Sequence, residues 1–235
     1  MSRLHSLALS AVLVSAMVAA TPAHALAWNE SPPGAGETLA TAQTIDGVAG
    51  TTLTDIFGTL ETVTLVNATP RNQVDLYRIF IDDVSTFSAT TLSGNPDDTA
   101  LFLFDSAGFG IYSNDDNGFD LLSTLPVGGP TVPGIYYLGV SVGGFVARDL
   151  FGTGLFLSGS FTDVVGADPA AGGLSYWDEG FATLNEGGLA YDIALTGVSV
   201  VAVPEPSELL LLLAGLGAVA ARLRRRRARD RTALS

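Results

Sequence analysis

Val74-Asp75-Leu76-Tyr77-Arg78-Ile79-Phe80-Ile81 begins with alternating polar and apolar residues, turns almost wholly apolar, and stops at Asp82-Asp83. This is the pattern of a β-strand entering a core. Phe87 to Leu92, rich in Thr, follows at hairpin distance and is expected to pair with it. Thr99 to Phe104 is a continuous apolar run closed by Asp105-Ser106-Ala107-Gly108, as in a strand buried on both faces. Gly134 to Val142 (GIYYLGVSV) and Leu189 to Thr196 (LAYDIALT) are further strands. Ser93-Gly94-Asn95-Pro96 and Asn114-Asp115-Asp116-Asn117-Gly118 are turn clusters between them. Short strands with Gly-rich turns predict an all-β chain, an antiparallel β-sandwich.

Single residues fit that reading. Tyr136 and Tyr137 must face opposite sides of their strand. Trp28 is expected to tether the N-terminal segment to the core. Arg78, in an acidic domain, is expected to pair with a carboxylate.

The two ends of the chain differ from this body. Arg3, the 14 apolar-rich residues Leu7 to Ala20, and Ala23-His24-Ala25 form the three parts of a secretory signal peptide, residues 1–25, cut by signal peptidase after Ala25. At the other end, Pro204-Glu205-Pro206-Ser207 precedes an apolar run from Leu209 to Ala221 and then seven arginines between Arg222 and Arg231. Thirteen helical residues span about 20 Å, which makes a short transmembrane helix. Its arginines favour the cytoplasmic side, leaving the body outside.

Between the ends, residues 26–203 fit one domain. They carry three arginines (Arg71, Arg78, Arg148) and 21 acidic residues, a net charge of −18. Such a surface repels nucleic acid and attracts cations. The chain has no Cys and no Lys, and its only histidines, His5 and His24, fall in the leader. A mature chain from Leu26 therefore has no thiol nucleophile, histidine base, Schiff-base lysine or Cys/His zinc site.

The C-terminal triple, residues 203–235, resembles the PEP-CTERM sorting signal of Gram-negative bacteria. That resemblance implies handling by an exosortase-like membrane enzyme acting near Pro204 to Ser207. It implies an inner-membrane-anchored precursor, delivery to the cell surface or matrix, and a host that makes exopolysaccharide and biofilm. Within the body, Glu37 to Gln43, Gly58-Thr59-Leu60, Asp75-Leu76-Tyr77, Asp98 to Gly108, Asn114-Asp115-Asp116, Pro133 to Leu138 and Tyr191 to Thr196 occur in an order that resembles the bacterial pre-peptidase C-terminal domain. The resemblance implies a jelly-roll-like sandwich, here with an insertion from about 144 to 188. It also implies calcium near the N-terminal Glu/Asn segment, at Asn29 and Glu30. The family's Glu-Pro-Asn run is replaced here by Asn29-Glu30-Ser31-Pro32-Pro33.

Three kinds of site come from the residues themselves. Asp97, Asp98, Asp105, Asn114, Asp115 and Asp116 offer oxygen ligands for calcium if their turns converge, and make plain Asx-turns if they do not. They are not an EF-hand: aligning Gly118 with the loop glycine puts Thr124 where a bidentate Glu belongs. Tyr176 and Trp177 offer flat rings to a sugar. Asp178 and Glu179 beside them are the pair a glycosidase would need, though they are sequence neighbours rather than opposed groups.

The sequence thus points to an exported, non-enzymatic envelope or matrix protein, structural or adhesive in exopolysaccharide, with no cofactor beyond a candidate calcium ion. A calcium-dependent carbohydrate-binding module and a polysaccharide-active hydrolase are the alternatives.

Overall fold

The computed structural model describes residues 25–60, 74–92, 98–178, 180 and 189–200. The expected leader, the Pro204–Ser207 motif, the apolar run and the arginine tail lie outside them, apart from Ala25. All regular structure in the described residues is β. The strands are β1 (Ala25–Asn29), β2 (Gln43–Thr44), β3 (Thr52–Leu60), β4 (Val74–Ile81), β5 (Ser88–Thr91), β6 (Thr99–Phe104) and β7 (Gly110–Asn114). They continue with β8 (Thr124–Leu125), β9 (Gly134–Val142), β10 (Val146–Arg148), β11 (Val165–Gly166), β12 (Tyr176–Asp178), β13 (Leu189–Thr196) and β14 (Val198–Ser199). Among the described residues no helix is long and apolar enough to cross a membrane.

One large sheet runs in the order β11-β7-β6-β9-β4-β14-β3-β13-β5-β8, with antiparallel neighbours throughout. β1 adds in parallel to β3, and β2 in parallel to β4. The sheet curls until its halves face each other across one core. Tyr77, Ile79, Leu101, Leu103, Leu138 and Val140 enter that core from the first half, and Leu53, Ile56, Ile193, Ala89 and Leu125 from the second. Each large apolar side chain withdrawn from water contributes roughly 1.5–3 kcal/mol. The arrangement is sandwich-like. Trp28 packs against the core and donates Nε1–H to Gln43 Oε1 at 3.3 Å, tying β1 to β2 as expected.

Strand alternation explains why the first half is buried on both faces. Residues of β4 and β6 that do not point into the main core, namely Leu76, Ala100, Phe102 and Phe104, form a second cluster with Ala147 and Leu155. The stretch expected as an insertion supplies the cover: β10 and β12 pair with each other, and β11 joins the main sheet beside β7. Gly139 sits opposite both Leu76 and Phe102 in the ladder. A Cβ there would meet Leu76 Cδ2 at 3.2 Å, a tight approach that glycine avoids where the side chains from both neighbouring strands close over β9. Tyr136 packs in the main core and Tyr137 against the second cluster, on opposite faces as expected.

Asp75 is fully buried and accepts a 2.7 Å hydrogen bond from the Tyr191 hydroxyl, which also bonds the Tyr77 hydroxyl. Burial pushes both phenols above their ordinary titration range. The partner of Tyr191 in the ladder is Gly58, where a Cβ would lie 2.1 Å from the Tyr191 oxygen.

Two expectations are corrected. Phe87 to Leu92 does not pair with β4; its strand, β5, lies between β13 and β8 in the other half. The link from 82 to 87 passes the junction of β13 and β14, held by Asp82 and Asp83 N–H groups on the Gly197 carbonyl, and Phe87 is buried in the main core. Among the described residues the ion pair is made by Arg148 and not by Arg78.

Candidate functional site

Register brings three acidic residues to one end of the first half-sheet. Thr99 pairs with Val142 and Leu101 with Asn114, so the residue before β6 and those after β7 and β9 become neighbours. Asp98, Asp115 and Asp116 there each offer a carboxylate oxygen, and the three oxygens lie within 4.8 Å of one another. Gly143 makes this approach feasible, since a Cβ on it would fall 1.9 Å from Asp98 Oδ1 and 2.9 Å from Asp115 Oδ1. Gly144 N–H donates to both Asp115 oxygens at 3.2 Å.

The electrostatics follow from the crowding. Burial pushes the Asp115 carboxyl up to about 6; Gly144 opposes the shift, and Asp98 and Asp116 add to it. Burial and then Asp116 raise Asp98, while burial and then Asp120 raise Asp116. Charge accumulates here without a described basic partner. A hard cation that takes six to eight oxygens would find up to six among these carboxylates.

Two adjoining cavities meet at this point. The smaller, about 170 Å³, is walled by the three acids with Leu121, Gly143, Gly144 and Phe161. The larger, about 300 Å³, shares Asp115, Gly144 and Phe161 with it and runs between the outer face of β6–β7 and the covering segment. Phe102, Val146, Phe156 and Val165 give the larger cavity its apolar wall.

The remaining candidates have other positions. Asp97 and Glu179 lie outside the described residues. Asp105 sits at the far end of β6, about 23 Å along the strand direction from Asp98. Its Oδ1 accepts the Ala107 and Phe109 N–H groups at 2.8 and 3.0 Å, so it makes an Asx-turn and does not join the trio. Asn114 is structural: Nδ2 donates to the Asp116 and Asp163 carbonyls, and Oδ1 accepts the Thr124 N–H. Glu30 accepts the Ala35 and Thr59 N–H groups at 2.6 and 2.9 Å, fixing the turn after β1.

Trp177 turns its indole into the second cluster, 5.0 Å from the Phe102 ring and 5.9 Å from Phe104, and donates Nε1–H to the Glu37 carbonyl at 2.8 Å. Tyr176 is the exposed ring of the pair. Asp178 Oδ2 receives Arg148 Nε at 2.7 Å, while Arg148 Nη1 donates to the Gly152 carbonyl.

The chain matches no family model and no curated protein.

Sequence reasoning missed the role of Gly143-Gly144 and the apolar cavity. The glycine pair directly after a strand was the available signal, because a turn that must admit two carboxylates has no room for a side chain. The cavity left no comparable trace: its walls come from positions 100 to 165 and meet only once the cover is in place.

Proposed function

We propose that this chain is an exported, non-enzymatic protein of a Gram-negative envelope or extracellular matrix, with a structural or adhesive role in exopolysaccharide or biofilm. Signal peptidase removes residues 1–25, the apolar run Leu209–Ala221 holds the precursor in the inner membrane, and an exosortase-like enzyme acts at Pro204 to Ser207. The body is a jelly-roll-like sandwich. The observation that carries this reading is the order of leader, acidic β-domain, Pro-Glu-Pro, apolar run and arginine tail along one chain. Deleting residues 204–235 tests it. The truncated protein should no longer reach the surface fraction and should collect in the periplasm; unchanged surface delivery would refute sorting by the tail.

A second reading, a calcium-dependent carbohydrate-binding module, is supported by the convergence of Asp98, Asp115 and Asp116 beside the larger cavity. Calcium would neutralise the three acids and leave coordination positions for sugar hydroxyls. Calorimetric titration tests it: millimolar calcium should give heat with the natural chain and none with Asp115→Asn. Absence of heat and of any thermal shift with the natural chain would remove this reading.

A further inference from the structure

We infer that Asn117-Gly118 is a site of spontaneous covalent modification, at which the Asn117 amide becomes a carboxylate and the turn it closes is released. Neither sorting by the tail nor calcium binding is needed for it.

Of the seven asparagines in the chain, Asn117 alone precedes a glycine. Gly118 is exposed, and its N–H has no hydrogen-bond partner among the described residues. Its φ is +86°, and a Cβ there would meet nothing within 4 Å. The nitrogen is thus unhindered, and the chain itself holds it one five-membered ring away from Asn117 Cγ.

The chemistry needs only the chain and water. The Gly118 nitrogen attacks Cγ, forming an N–Cγ bond while the Cγ–Nδ2 bond breaks. Gly118 gives up its proton, Nδ2 gains one, and ammonia departs from a cyclic imide. Water then adds across one of the imide's two C–N bonds. Opening at Cγ restores the main chain with aspartate at 117. Opening at the backbone carbonyl gives isoaspartate, whose main chain is one carbon longer.

The surrounding bonds show what the amide does before it reacts. Oδ1 accepts the Phe119 and Asp120 N–H groups at 2.8 and 3.2 Å, and Nδ2 donates to Asp120 Oδ1 at 2.6 Å. Asp120 Oδ1 also accepts the Leu122 N–H at 3.1 Å, and the Asn117 N–H donates to the Leu122 carbonyl at 2.6 Å. Leu122 is buried, so this network fastens the loop between β7 and β8 to the body. It also restrains the Asn117 side chain: attack waits until Nδ2 leaves Asp120, which makes the reaction slow. The product does not fit the same turn. A carboxylate at 117 has no N–H for Asp120, and it sets a second anion where Nδ2 stood, 2.6 Å from the first. The turn opens once the amide is gone.

Peptide mapping by mass spectrometry of the full-length chain, aged in detergent in warm, mildly alkaline buffer, tests the site. The peptide holding Asn117 should split into two products, each one mass unit heavier, while the other asparagines stay unchanged. Asp120→Ala frees Nδ2 and should speed the conversion about tenfold, as expected for one charge-assisted hydrogen bond. Asn117→Asp reproduces the aspartate product at once. It should melt about 2–4 °C below the natural chain and be cut faster by protease between 117 and 122. The aged natural chain, measured in the same way, gives the same comparison without a substitution.

No mass gain at 117 while the protein stays folded, or an equal gain at other asparagines, would overturn the site. Unchanged conversion in Asp120→Ala would overturn the restraint by Asp120. Unchanged melting and cleavage of both Asn117→Asp and the aged chain would overturn the release of the turn.

Discussion

Asp149 and Asp115 each follow a strand end, Asp149 after β10 in the two-stranded cover and Asp115 after β7 in the main sheet, and their surroundings push them in opposite directions. The Asp149 carboxylate accepts three backbone N–H groups, from Phe151, Thr153 and Gly172, at 2.8–2.9 Å. Those bonds, with Gly172 foremost, hold its carboxyl below the usual range. Asp115 has the single Gly144 N–H and two other carboxylates, and burial takes it to about 6. The first turn is complete within the protein. The second carries charge that nothing in the described residues neutralises. An Asp-rich turn becomes a candidate site through the donors it lacks rather than through its acidity.

The comparison can be broken most forcefully at Trp177, which holds the covering segment against Phe102 and Phe104. Trp177→Ala should cost about 3 kcal/mol, the lower end for a large aromatic because the ring is only partly buried. Chemical denaturation measures this directly. If the loss were below about 1 kcal/mol, the cover would not be fixed by its aromatic contacts, and the cavity beneath it would lose its definition.

Asp149→Ala comes next. Losing the acceptor of three backbone donors should lower the melting temperature by several degrees at neutral pH. Asp149 titrates below its unfolded value, so its contribution is present above about pH 4 and disappears as pH falls through the folded value. The deficit of the variant should therefore shrink in acid.

Asp115→Asn should do the reverse. Its carboxyl titrates above the unfolded value, so its favourable contribution is fully present below about pH 4 and lost as pH rises through about 6. The amide keeps an acceptor for Gly144 and removes one of three clustered charges. The variant should gain about 1 kcal/mol at neutral pH, after allowance for the water that still reaches the site. A pH series of melting curves for both variants would show deviations of opposite sign; deviations of the same sign would refute the contrast. The smallest effect is expected from saturating calcium, which should raise the melting temperature of the natural chain by about 2–4 °C and leave Asp115→Asn unmoved.

What could be read from the sequence was local. The apolar run of β6 announced burial on both faces, and β4, β9 and β13 were legible from their composition. The partner of β5 was not, because six residues that carry the chain to the other half look the same as six residues of a hairpin connection. The parallel additions of β1 and β2 depend on pairings with strands about 25 to 35 residues further on, which no local pattern encodes. Asp98, Asp115 and Asp116 were recognisable as turn acids together with Asp105, and only the register of β6 against β9 separates them. Trp177 beside Asp178 resembles a sugar platform in sequence, yet Phe102 and Phe104, some 75 residues away, claim its ring. Asp149 gave no signal at all: one aspartate before Leu150-Phe151-Gly152 does not reveal that Gly172 will return to it.

The intact mass of the protein recovered from each cell fraction of its native host tests the central proposal most directly. A surface or medium form that begins near Leu26 and ends between Pro204 and Ser207 is expected. A form found only in the inner membrane, with its arginine tail still attached, would contradict it.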